Sequence, residues 1–157
     1  MRKILNPYTK LEGYNCFGCS PNNPFGLKMT FIEDGDEVIC QWKPGEHYQG
    51  WHNVLHGGIQ AALMDEIASC TVSVKLGTNG VTSRMSTCFR KAISTNENLI
   101  TIKARLKELR RNIAFIDVKI FNSLNEVCAE AEIQFFTYPR EVAREKLAYP
   151  GIEEFFK

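Results

Sequence analysis

Four runs of strand character fill the second half of the chain: Val81–Ala92, Leu99–Leu109, Ile113–Phe121 and Val127–Tyr138. In Ile100–Leu106 the even positions are apolar or small and the odd ones polar, the period of two that a half-buried strand needs. Asn96, Asn98, Asn112, Asn122 and Asn125 interrupt the runs. Two shorter strands are predicted at Leu27–Ile32 and Val38–Trp42, with the turn residues Asp34, Gly35 and Asp36 between them. From Gly57 to Lys75 the period changes to that of a helix. At 100° per residue Ile59, Leu63, Ile67, Cys70 and Val74 fall within about 40° of Leu63, which predicts a stripe facing a sheet. Residues 1–26 are dense in Gly, Pro and Asn and read as loop, and residues 139–157 as a short, mostly polar tail with a peripheral helix.

One long helix, two strands before it and four after it predict an α+β fold. The strands are long, so an antiparallel sheet of five to six strands is expected to curl around the central helix, all within one domain spanning residues 1–157. Composition agrees with a globular chain: 44% of the 157 residues are hydrophobic and 24% charged. Nineteen basic against 18 acidic residues leave a net charge of +1, so nucleic acid is not an expected partner. No apolar run approaches the ~20 residues of a membrane span, and the start MRKILNPYTK lacks the apolar stretch of an export signal. A cytoplasmic protein without membrane partners is expected. Of six cysteines, Cys16 and Cys19 form a lone CxxC and the other four are scattered. A zinc ribbon needs a second pair, so the expectation is six reduced thiols and no metal or other cofactor.

The predicted helix has a second face. Gly58, Ala61, Asp65, Ala68 and Val72 lie almost opposite Leu63 and are small and apolar apart from Asp65. If the sheet covers the first face, a second copy of the chain is expected on this one. A charge in an apolar interface costs several kcal/mol unless paired, so Asp65 is either a structural ion-pair or capping residue, or a working carboxylate. Glu66 falls about 60° from the centre of the core stripe and is expected at the rim. At the helix start, His56-Gly57-Gly58 is either a tight turn with His56 as a cap or a cradle whose free N–H groups meet a developing negative charge. Gly57 and Asp65 are eight residues apart, about 12 Å along a helix. One helix therefore cannot bring both to one carbonyl, and a catalytic reading requires an antiparallel second copy: a homodimer, or a dimer of dimers, with composite sites.

The segment from Gly50 through His56-Gly57-Gly58 to Asp65-Glu66 resembles the signature of hotdog-fold acyl-CoA thioesterases of the PaaI-like (4-hydroxybenzoyl-CoA thioesterase) superfamily. The loop from Asn15 to Leu27 and the stretch from Val81 to Ile93 are similar to segments of that group, so the resemblance spans roughly residues 15–137. It implies that Gly57 polarises a thioester carbonyl, with Gly58 beside it and His56 shaping the pocket. Asp65 of the partner chain would be nucleophile or general base, and Thr82 or Ser83 would orient the attacking water. Relatives carry Asn or Gln in the loop before HGG, and Gln49 and Asn53 are the candidates here. Coenzyme A brings phosphates, for which Arg84, Arg90, Lys91, Arg110 and Arg111 are candidate partners or else solvated edge charges. Glu66 beside Asp65 is the rival carboxylate. Two other readings of the same fold are a hydratase or dehydratase with His56 as acid/base, and an acyl-CoA-binding module without turnover. Thioester hydrolysis needs a carboxylate, a positioned water and one or two N–H donors, and no GxSxG elbow offers a serine route.

Overall fold

A computed structural model describes all 157 residues. Seven strands and two helices follow one another as β1 (Arg2–Ile4), β2 (Phe31–Asp34), β3 (Glu37–Trp42), α1 (Gly57–Leu76), β4 (Gly80–Phe89), β5 (Ile100–Arg110), β6 (Ile113–Phe121), β7 (Val127–Thr137) and α2 (Arg140–Leu147). The strands form one antiparallel sheet in the order β1-β2-β3-β5-β6-β7-β4, and α1 packs against β3 through β7. A helix that touches five strands of one sheet lies inside its curl. The α+β architecture, a long helix wrapped by an antiparallel sheet, is the expected one. No helix is long and apolar enough to cross a membrane.

The sheet has one strand more than the five to six expected. The extra strand, β1, lies within the segment read as loop; three residues are too few to show a period, and β1 exists through its pairing with Phe31–Glu33 of β2. The strand expected at Leu27–Ile32 begins only at Phe31. Lys28 adopts a left-handed conformation (φ 52°), and the N–H groups of Leu27 and Met29 turn back to the carbonyls of Phe17 and Gly18. β4 stops at Phe89 instead of Ala92, because Arg90 and Lys91 both donate to the carbonyl of Cys128. Helix α1 ends at Leu76 on a left-handed Gly77 (φ 64°), a conformation that favours glycine. The tail is less peripheral than its polarity suggested: Ala143, Tyr149 and Phe155 are buried in the core.

Curling also corrects the two-face reading of α1. Its buried residues include Leu63, Met64, Ile67, Ala68, Thr71, Val72 and Val74. Ala68 and Val72, assigned above to a partner, are fully covered by their own chain. A flat sheet would cover one side of a helix, whereas a curled one reaches round it. What remains open is a shorter patch near the N-terminus of α1, with Gly58 exposed and Ala61, Ala62 and Asp65 partly so.

Candidate active site

The entry to α1 is fixed by backbone pairing. Gln49 and Leu55 form an isolated bridge, Gly50 N–H donates to Val54 O (2.8 Å), and His56 N–H donates to Tyr48 O (2.9 Å). Asn53 turns this loop at φ 62°, and its N–H donates to the side-chain oxygen of Gln49 (3.2 Å). The two loop candidates thus meet: the Gln49 carbonyl braces the turn at Asn53.

His56 is the N-cap of α1, and its Nδ1 accepts the N–H of Gly58 at 2.8 Å. An Nδ1 that accepts leaves the proton on Nε2, so the ring can donate outward but has no free lone pair. Gly58 is therefore a partner of the cap and not a free donor. A Cβ at Gly58 would stand 3.0 Å from Cε1 and Nδ1 of His56, which explains the small residue there. Gly57 N–H, by contrast, forms no hydrogen bond within the chain, since it stands in the first turn, where no preceding helical carbonyl can accept it. Phe89, which the sequence reading passed over, brings its ring to 3.6 Å from where a Gly57 Cβ would lie.

Asp65, two turns on, is partly buried and accepts a hydrogen bond from Thr82 Oγ1 at 2.6 Å. A β-bulge produces this contact. Thr82 pairs with Phe135 and Arg84 with Gln134, so Ser83 is the extra residue, and its hydroxyl donates to Gln134 O at 3.1 Å. Bulges re-aim the neighbouring side chain. Here Thr82 reaches Asp65 while Ser83 bonds to a sheet carbonyl.

Glu66 is not a rim residue. It packs against the N-terminal loop, with Cys16 Sγ at 3.6 and 3.7 Å from its two carboxylate oxygens. Burial is the main cause that pushes its carboxyl up to about 7. A cleft of about 730 Å³ opens beside it, lined by Tyr8, Tyr14, Cys16, Cys19, Glu66 and Cys70 among others. Gly57, Asp65 and Thr82 do not line it.

Of the candidate phosphate partners, Arg90 pairs with Glu130 (2.5 Å), Lys91 with Glu126 and Arg110 with Glu108 (2.5 Å). Arg111 occupies a left-handed turn position. Arg84 on β4 is exposed and forms no ion pair within the chain.

Residues 52–129, about half of the chain, match the thioesterase superfamily. Acyl-coenzyme A thioesterase 13 of Mus musculus is 27% identical over 97 residues, which cover 60% of this chain and 69% of that protein. A Streptococcus mutans protein solved bound to acetyl CoA superimposes with a TM-score of 0.67 at 20% identity, covering 83% of this chain and 98% of the other. A hypothetical thioesterase from Streptococcus pneumoniae, solved with coenzyme A, gives 0.66 at 25% identity, covering 71% and 87%.

Proposed function

The chain belongs to the thioesterase superfamily, enzymes that hydrolyse thioesters, and we propose that its substrate is an acyl-CoA, cleaved to the free acid and CoA at a site shared by two copies of the chain. The observation that carries the proposal is the unequal use of donors and acceptors along α1. At its start Gly57 N–H has no acceptor, and two turns later Asp65 has only the Thr82 hydroxyl.

The N–H of Gly57, at the positive end of the helix dipole, is suited to the oxygen of a thioester carbonyl as it gains charge. Asp65 is suited to take a proton from water. Thr82 donates to one carboxylate oxygen and fixes its direction, and the other oxygen is left to the water. Attack on the carbonyl carbon gives a tetrahedral oxyanion, which collapses with departure of the CoA thiolate. The proton taken by Asp65 returns to that sulfur.

About 12 Å of helix separates Gly57 from Asp65, so each site draws its donor from one copy and its base from the other. Two features support such a dimer. The patch around Gly58, Ala61 and Asp65 is small and open, and β4 is an edge strand of ten residues with Val81 and Phe89 exposed. A long exposed edge strand calls for a pairing partner. Antiparallel β4–β4 pairing would lay the two helices head to tail, and Arg84 would then be available to a CoA phosphate. Gln49 and Asn53, in the loop that leads into the helix, would stand on the substrate side of Gly57. The hydratase reading needs His56 to exchange protons, and its Nδ1 is already engaged by Gly58. Incubation with a panel of saturated, enoyl- and aryl-CoAs and a thiol-reactive dye tests the proposal. Release of free CoA supports it; double-bond chemistry or binding without release refutes it.

A further inference from the structure

We propose that Cys16, Cys19 and Glu66 form a zinc site that clamps the N-terminal segment onto α1. The three side chains offer two sulfurs and one carboxylate oxygen, all within 4.8 Å of one another. Zinc takes thiolates at about 2.3 Å and carboxylate oxygens at about 2.0 Å, so a tetrahedral site sets the sulfur–oxygen edge at about 3.5 Å. Cys16 Sγ already stands 3.6 Å from Glu66 Oε1.

The surroundings are built for such a centre. Ser20 N–H closes a turn on the Cys16 carbonyl, which holds Cys16 and Cys19 in one tight loop. A Cβ at Gly18 would come within 2.3 Å of the Glu66 carboxyl carbon, so only glycine lets the carboxylate in. Behind Cys19, the Tyr14 hydroxyl lies 2.9 Å from Sγ and the Asn6 amide 3.6 Å from it, positions that orient a ligand from the second rank. The charge balance points the same way. Glu66 is half-buried, its side-chain partner is the Cys16 thiol, and it forms no ion pair with a lysine or arginine of the chain. A dication supplies the missing positive charge, and the mixture of soft sulfur and hard oxygen suits zinc among the common ions. Three protein ligands leave a fourth position for water, facing the cleft that all three residues line.

Binding replaces the two thiol protons with metal–sulfur bonds and releases them to solvent, with no change of oxidation state. The ligands join residues 16–19 to residue 66, so zinc would act as a cross-link that holds the segment 14–29 on the helix.

The full chain, untagged and prepared without oxygen or added metal, tests this directly. Elemental analysis is expected to find about one zinc per chain. The metal-stripped protein titrated with Co²⁺ should develop thiolate-to-cobalt charge-transfer absorption and the intense visible bands of a tetrahedral site. Cys16→Ser/Cys19→Ser should abolish the charge-transfer band, and Glu66→Gln, which leaves the CxxC loop intact, should weaken zinc at least tenfold. The wild-type titration stands even if a variant fails to fold. Negligible zinc together with no charge-transfer band overturns the proposal. So does a band that survives in the double serine variant, or a Cys16–Cys19 disulfide in the anaerobic protein. None of these readouts involves turnover, so failure of the zinc site and failure of the thioesterase reading are separable.

Discussion

Asp65 and Glu66 are neighbours in sequence and a third of a helical turn apart, yet they occupy opposite environments. Asp65 faces the open patch of α1 and answers to one hydroxyl across a bulged edge strand. Glu66 turns under the N-terminal loop, where burial and two thiols surround it and its carboxyl is pushed up to about 7. Chemically they differ by one methylene. What separates a candidate base from a candidate ligand is which face of the helix the curled sheet leaves uncovered, and which face the N-terminal segment closes.

Asp65→Asn breaks that comparison most forcefully. It keeps the size of the side chain and the hydrogen bond to Thr82 but removes the proton acceptor. Loss of a general base is expected to lower kcat by about 10²–10⁴-fold, with KM for acyl-CoA little changed. Glu66→Gln should cost less than about tenfold in kcat, because no role in proton transfer is assigned to it. Steady-state kinetics of the pair decides. A slow Glu66→Gln beside a normal Asp65→Asn would reverse the assignment of the two carboxylates.

Ala61→Arg tests whether the open face of α1 is covered by a second copy. Overpacking and an unpaired charge at a dimer face should weaken association by several kcal/mol and abolish turnover along with it. Sedimentation of wild type and variant at micromolar concentration measures the effect. A monomeric wild-type protein would remove the basis for composite sites.

Thr82→Ala against Ser83→Ala sharpens the role of the bulge. A hydrogen bond to a charged group is worth about 1.5–3 kcal/mol, so loss of the Thr82 hydroxyl should reduce kcat by roughly 10–100-fold. Ser83→Ala removes a bond to a sheet carbonyl and should lie within a few-fold of wild type. Equal effects would mean that the bulge does not choose between the hydroxyls.

The long helix, its HGG entry and the four long strands were legible because each carries a period or a motif of its own. The misplaced parts depend on contacts that no local pattern encodes. Ala68 and Val72 were assigned to a partner because a helical wheel shows angles but not how far a sheet curls. Leu27–Met29 has the composition of a strand, yet its N–H groups turn back to Phe17 and Gly18. Glu66 was placed at the rim because the wheel cannot show a loop fifty residues earlier folding over it. Thr82 and Ser83 were inseparable in sequence, since the bulge that parts them exists only through the register with β7.

The smallest expected effect concerns the helix start, and a thermodynamic cycle reveals it better than any single variant. His56→Ala removes the N-cap bond from Gly58 N–H and should cost about 1 kcal/mol. In a domain of this size that corresponds to a melting temperature lower by about 2–4 °C. Gly58→Ala has two opposed consequences. Alanine favours helix over glycine by up to about 1 kcal/mol. Its Cβ, however, would stand 3.0 Å from Cε1 and Nδ1 of His56 and force the imidazole off its bond, at a cost of similar size. Gly58→Ala alone should therefore change the melting temperature by less than a degree or two. In the His56→Ala background no ring remains to displace, and the same substitution should stabilise by up to about 1 kcal/mol. The coupling between the two positions, read from four melting curves, should be near the value of the lost cap. Strict additivity would mean that His56 does not hold Gly58 in solution, and would leave the Gly58 N–H as free as that of Gly57.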